Sequence, residues 1–118
     1  MTSTPAAHDC LFCRIVAGEV PATVVAETAD AVAFRDLDPR APTHVLVVPR
    51  DHHADVADLA AADPDLLAAL VLLGRAVAEQ ECGGHFRLVF NTGAEAGQSV
   101  FHVHGHVVGG TRLGWSPA

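Results

Sequence analysis

Between Asp63 and Gly84 the chain carries its one long helical pattern, and that segment limits the architectures open to everything around it. Asp63 is a capping residue and Pro64 suits a first turn. Leu67, Leu70, Val71, Gly74 and Val77 recur at helical spacing, and Gly83-Gly84 stops the run. On either side lie short β-branched, apolar stretches. Thr23 to Glu27 and Ala31 to Phe34 read as a hairpin, and His44 to Val48 as a third strand bounded by Pro42 and Pro49. Phe86 to Phe90 is a fourth strand, and the segment from Phe101 onward is a fifth. Asp9 can cap a short helix through Cys10 to Val16, with Gly18 as its stop. This order predicts an α+β domain: a five-stranded antiparallel sheet with one long helix and a short N-terminal helix.

With 118 residues, half of them apolar, the chain reads as a single domain over 1–118, with residues 1–8 as a flexible lead. A formal net charge of -7 argues against a broad nucleic-acid or anionic-membrane surface, because both need clustered positive charge. No apolar stretch approaches the ~20 residues of a membrane span, and Met1 to Asp9 lack the features of a signal peptide. The cytoplasm is the expected address. Three cysteines, Cys10, Cys13 and Cys82, do not form a secreted-type disulfide framework. An anion, if bound, has to be held by a local site.

Phe101-His102-Val103-His104-Gly105-His106-Val107-Val108 offers such a site. In an extended strand His102, His104 and His106 project from one face and Phe101, Val103 and Val107 from the other. Neighbouring imidazoles then stand about 6.6 Å apart, a row able to surround one small anion or one metal ion. Imidazole titrates near pH 6.5, so the row can hold both a nucleophile and a proton donor. The preceding loop, Asn91 to Ser99, suits a phosphate. Gly97 lets backbone approach a ligand, successive amides can form an anion nest, and Ser99 adds a hydroxyl. Taken alone, Gly93 and Gly97 mark only a hairpin turn.

From Gly97 to Val108 the sequence resembles the His-x-His-x-His signature of the histidine triad superfamily. The similarity extends from Leu11-Phe12-Cys13-Arg14-Ile15 and Gly18 to Ala22, through Ala33 to Asp36 and Ala41 to Pro49, to Gly109-Gly110 and Trp115. The tail Thr111 to Pro117 is similar to the nucleotide-binding (Hint) branch. The resemblance implies a HIT-like fold and hydrolysis of adenosine 5′-phosphoramidates to AMP and amine, with His104 attacking the α-phosphorus to form a nucleotidyl-histidine. His106, His44 and Ser99 are implied as its helpers, and the proton for the leaving amine is left open among His106, Ser99 and the substrate. Asp36 would take the ribose hydroxyls. Leu11, Phe12, Ile15, Phe34 and Leu37 would line a purine pocket, and Asn91, Gly97, Gln98 and Ser99 would hold the phosphate. Each of these, without the resemblance, reads as ordinary core or solvated surface. Gly105 departs from the pattern, which usually has a bulky apolar residue there, and is expected to relax packing behind the row.

Cys10 and Cys13, at i and i+3 on a short helix, put two sulfurs on one face, and two imidazoles would complete a tetrahedral zinc site. The resemblance implies His52 and His102 as those ligands and a structural role for zinc, with His53 the competing neighbour. The alternative is a pair of buried or idle cysteines. Two rival functions stand beside the phosphoramidase: a metalloenzyme with His102, His104 and His106 all on zinc, and a nucleotide-sensing scaffold with little turnover. A dinucleoside polyphosphate hydrolase is the alternative within the superfamily. The resemblance also implies a homodimer joined through the long helix and the strand near His85, with Trp115 reaching the partner's pocket. Asp55, Asp58 and Asp65 read as a solvated face, Cys82 as a small apolar residue, and His8 and His85 have no assigned role.

Overall fold

The computed structural model describes residues 10–115, so Asp9 as a cap, His8 and the flexible lead lie outside the described residues. In chain order the elements are α1 (Leu11–Val16), β1 (Val24–Glu27), β2 (Ala31–Arg35), β3 (Thr43–Pro49), α2 (Val56–Ala62), α3 (Pro64–Cys82), β4 (Phe86–Val89) and β5 (Gly105–Gly109). The strands form one sheet in the order β1-β2-β3-β5-β4, every neighbouring pair antiparallel. The expected α+β class and the five strands are therefore present.

The central strand explains its own sequence. β3 is buried along its whole length, because α3 covers one face of the sheet and α1 the other, so its side chains are apolar without alternation. On the α3 face Leu66, Leu70, Leu73, Val77 and Ala78 pack on Val45, Val47, Val103 and Val107. The packed stripe is rotated from the expected one: Leu66 and Leu73 are buried, whereas Val71 is exposed. On the α1 face Cys10 and Phe12 pack on Val32, Phe34, Leu46 and Val48. α3 starts where expected, Asp63 accepting the Leu66 N–H at 3.1 Å, and ends on Gly83 at φ 68°, a left-handed cap open to glycine.

Four expectations are corrected. The first concerns α1, whose cap is Cys10: its sulfur accepts the Cys13 N–H at 3.3 Å. The second is α2, which the sequence reading lacked; Leu59 is its one buried anchor, too faint a periodicity to see. Asp55, read as solvated surface, caps it by accepting the Asp58 N–H at 2.9 Å.

The third concerns the histidines. β5 begins at Gly105, so Phe101 to His104 form a bend ahead of the strand, and the three rings are not one row. The Val103 N–H donates to the His53 carbonyl at 2.7 Å, outside any ladder, and Phe101 is exposed. The fourth is Gly105, behind which packing is tight. A Cβ there would lie 2.9 Å from Leu88 Cδ1 and 3.0 and 3.1 Å from Cζ and Cε1 of Phe90. The space that a bulky residue would take is filled from the neighbouring strand.

Candidate active site

Antiparallel pairing of β3 with β5 places Leu46 opposite His106 and His44 opposite Val108, which gathers the polar groups on the α1 face of the sheet. His104, buried in the bend just before β5, points its Nδ1 at the His102 carbonyl oxygen, 2.8 Å away. A carbonyl only accepts, so Nδ1 carries the proton and Nε2 keeps its lone pair. Burial lowers the basicity of this ring, against smaller opposing effects of the His102 carbonyl and Asp36. A neutral imidazole of fixed tautomer is a competent nucleophile. Phe12 stands edge-on to it, centroids 4.9 Å apart at 85°.

The proton on His106 is placed by a chain of donors. The Arg40 N–H donates to His44 Nδ1 at 2.9 Å, so the His44 proton sits on Nε2. That Nε2 lies 2.9 Å from His106 Nδ1, which must accept, leaving the His106 proton on its own Nε2. The Asp36 carboxylate sits beside both rings, Oδ2 at 3.4 Å from His44 Nε2 and 4.0 Å from His106 Nδ1. Burial, with His104 and His44 nearby, pushes the His106 imidazole down to about 4, against the pull of Asp36. Asp36, His44 and His106 cluster as metal ligands do, but the set does not fit a metal ion. The His44 nitrogen nearest the other two holds a proton while its second nitrogen accepts from a backbone amide.

Two clefts meet at His106. One, about 220 Å³, is lined by Leu11, Phe12, Ile15, Phe34, Asp36, Leu37, Leu46, Ser99 and His104 among others. All five residues expected around a purine are there, with Leu37 almost wholly exposed at the rim. The second, about 570 Å³, runs over Asp36, Asp38, Arg40, His44, Arg87, Asn91 and Gly97. The loop between β4 and β5 contains a short 3₁₀ turn, Ala94–Ala96, ended by Gly97 at φ 97°. Its amides are not an open nest: those of Ala96 and Gln98 donate to the Gly93 carbonyl and that of Gly97 to Ala94. Gln98 is buried, accepting the Gly93 N–H at 2.9 Å and donating to the carbonyls of Ala54 at 2.7 Å and Val100 at 3.1 Å. Asn91 Nδ2 donates to the Ala96 carbonyl. Gln98 and Asn91 thus brace the loop, and Ser99 is the exposed hydroxyl facing the nucleophile's cleft.

Behind His104, Cys10, Cys13, His52 and His102 bring one ligand atom each within 4.8 Å of one another. His102 Nδ1 lies 3.3 Å from both sulfurs, and His52 Nδ1 3.4 Å from that of Cys13. His102 Nε2 sits 2.9 Å from the Pro49 carbonyl, so its proton is there and Nδ1 faces the sulfurs as a lone pair. Burial holds His102 down to about 4 and, with neighbouring Cys10, pushes the Cys13 thiol up to about 12. Two crowded sulfurs and two unprotonated imidazoles suit a soft divalent cation, and the set fits zinc. His53 is not part of the cluster; it contributes its carbonyl to Val103.

Sequence reasoning did not find the roles of Arg40 and Pro49. Both act through backbone atoms, which leave no trace in residue type. Pro21, Ala22 and Val100, also at the smaller cleft, carry no chemistry that would mark them.

Similarity to known proteins agrees with this geometry. The family model described as HIT domain matches residues 17–113. The adenylylsulfatase HINT1 of Arabidopsis thaliana is 36% identical over 120 residues, covering 99% of this chain and 82% of that protein. The 14 kDa zinc-binding protein of Zea mays is 37% identical over 110 residues, covering 91% and 86% respectively. The crystal structure of a HIT family hydrolase from Legionella pneumophila superposes with a TM-score of 0.87 at 43% identity, covering 92% of this chain and 99% of that one. This chain belongs to the HIT domain family.

Proposed function

We propose that this protein is a nucleotide-binding hydrolase that cleaves adenosine 5′-phosphoramidates to AMP and an amine through a nucleotidyl-His104 intermediate. The observation that carries the reading is the pairing of His104, its Nε2 lone pair fixed by the His102 carbonyl, with His106, its Nε2 proton fixed by His44. A purine nucleoside occupies the apolar cleft, its ribose hydroxyls on Asp36, and the phosphoryl oxygens meet Ser99 and the His106 proton. His104 Nε2 bonds to phosphorus, the P–N bond breaks, and the amine takes a proton as it leaves. His106 supplies that proton from Nε2, held in place by the His44 hydrogen bond on its other nitrogen, and takes one back from the water that enters for the second step. Water then cleaves the phosphorus–His104 bond, releasing AMP.

Zinc on Cys10, Cys13, His52 and His102 serves as a structural clamp and takes no part in these steps; the Zea mays relative is a zinc-binding protein, and a similar histidine triad family protein of Mycobacterium smegmatis is Zn-bound. The protein works as a homodimer, for which the edge strand β4 and the exposed Trp115 offer a surface. Its three free cysteines suit the cytoplasm. A second reading has sulfate as the leaving group, favoured by the name of the Arabidopsis relative. Sulfate needs no proton, so the amine reading alone depends strongly on His106.

The test incubates the protein with adenosine 5′-phosphoramidate, tryptamine-linked AMP or adenylyl sulfate, quenches without acid, and locates AMP by peptide mass. An adduct on His104, absent from His104→Ala, is expected; an adduct elsewhere overturns the mechanism.

A further inference from the structure

We propose that the cysteine–histidine cluster sets nucleotide affinity, because the metal it holds keeps one wall of the nucleoside cleft in place. The inference rests on the nucleotide reading above and adds a control that the reading does not require.

Helix α1 has six residues, far below the roughly 12 at which an isolated helix becomes even marginal in water. Its cap is a sulfur, a weak acceptor, so its position depends on what its side chains grip. It contributes Leu11, Phe12 and Ile15 to the cleft and Cys10 and Cys13 to the cluster. Phe12 lies between the two ligands in the chain. Its ring is buried edge-on against Phe34 at 5.5 Å, His102 at 6.1 Å and His104 at 4.9 Å. A cation on the cluster therefore ties together three segments: α1, the stretch after β3 that carries His52, and the bend that carries His102.

His102 makes the coupling direct. Its imidazole faces the sulfurs and its carbonyl accepts the His104 proton. Removing the cation leaves weak thiol–imidazole hydrogen bonds and the packing of Phe12 to hold the helix, so α1 loosens with Phe12. The phosphate side of the site is held by different contacts. Gln98 braces the loop on Ala54, Gly93 and Val100, and His44 holds His106, none of them through α1. Loss of metal should thus weaken nucleotide far more than phosphate. Cys10, Cys13 and His52 are positioning residues in this scheme.

The test compares zinc-loaded protein, chelated wild type and Cys10→Ser/Cys13→Ser by AMP calorimetry, inhibition by inorganic phosphate, and hydrogen exchange. Expected results are faster exchange at the Arg14 and Ala17 amides with β3 and β5 still protected, and AMP affinity at least ten-fold weaker. Phosphate inhibition should stay within two-fold, and zinc should restore only the wild type. AMP affinity within two-fold of the loaded protein overturns the inference, and so does an equal loss for phosphate, which would report general collapse. If chelation unfolds the sheet, loaded His52→Ala, which keeps three ligands and does not line the cleft, decides the matter. There α1 exchange and AMP affinity must change together; a loosened α1 at unchanged affinity overturns the coupling. Failure of the loaded wild type to bind AMP would instead refute the nucleotide reading itself.

Discussion

Gly105 offers a quantitative test of how the site is supported, since it lies between the two reacting histidines and points away from them into the α3 face. A Cβ there would sit 2.9 to 3.1 Å from Leu88 Cδ1 and the Phe90 ring, where carbon atoms prefer about 3.5 to 4.0 Å. Both neighbours are half-buried and packed against the core, so they must shift to admit it. Leu88 Cδ1 also lies 4.0 Å from a Cβ built at Gly74, where α3 comes close to the sheet. Gly105→Ala therefore carries an overpacking cost of about 1–3 kcal/mol, offset by roughly 0.4–1 kcal/mol from the stiffer unfolded chain. Gly105→Leu adds three more carbons to the same space and should reach about 3 kcal/mol or more. Phe90→Val alone opens a gap, costing about 1–2 kcal/mol for a half-buried ring. Together, Gly105→Leu and Phe90→Val exchange volume across one contact and should be more stable than the sum of the singles by about 1–3 kcal/mol. Urea unfolding of the zinc-loaded proteins, with the slope checked for constancy, measures the cycle. Additivity within about 0.5 kcal/mol would mean that the ring and the glycine do not share this space.

Three other perturbations address the polar framework. His44→Ala removes the acceptor of the Arg40 amide and the donor to His106, so phosphoramidate turnover should fall about 10²-fold, the scale of one proton-transfer group, with AMP affinity nearly intact; calorimetry and steady-state kinetics together check it. His106 binds its proton near 4 in the fold, with His104, His44 and Asp36 around it, and near 6.5 when unfolded. The unfolded chain therefore takes up more protons between these values. Stability should rise from pH 4 to 6.5 and level off above, by an amount on the order of 3 kcal/mol; melting curves should show a shallower slope for His106→Asn, and an unchanged slope would refute it. Gln98→Ala strands the Gly93 N–H and two carbonyls, costing about 2–4 kcal/mol and raising the KM for phosphoramidate, measurable by denaturation and initial rates; a loss of kcat alone would contradict a bracing role.

What was legible in the sequence was what repeats locally. Asp63-Pro64 and Gly83 bound α3 because caps act within a few residues, and the short apolar runs marked β1 to β4, whereas the fifth strand, expected from Phe101, begins at Gly105. The α2 helix was hidden since one buried leucine in a run of alanines makes no stripe. Alternation alone misled at the histidines. Spacing of two residues fixes a common face only where the backbone is a strand, and the ladder with β3 stops at Gly105.

That early stop separates the chemistry. If the strand continued through His102, the three rings would face one volume, as a metalloenzyme with all three on zinc requires. The bend instead turns the His102 imidazole to Cys10 and Cys13 and brings its carbonyl under His104. Each ring then has one committed nitrogen: His102 on the Pro49 carbonyl, His104 on the His102 carbonyl, His106 on His44. The nitrogens that remain differ in kind: a lone pair toward sulfurs, a lone pair for attack, and an N–H for donation. Identical side chains at identical spacing thus acquire three roles from which acceptor or donor meets the other nitrogen, and those partners are mostly backbone. Residue types name the candidates; the hydrogen bonds, set by where one strand begins, assign the work.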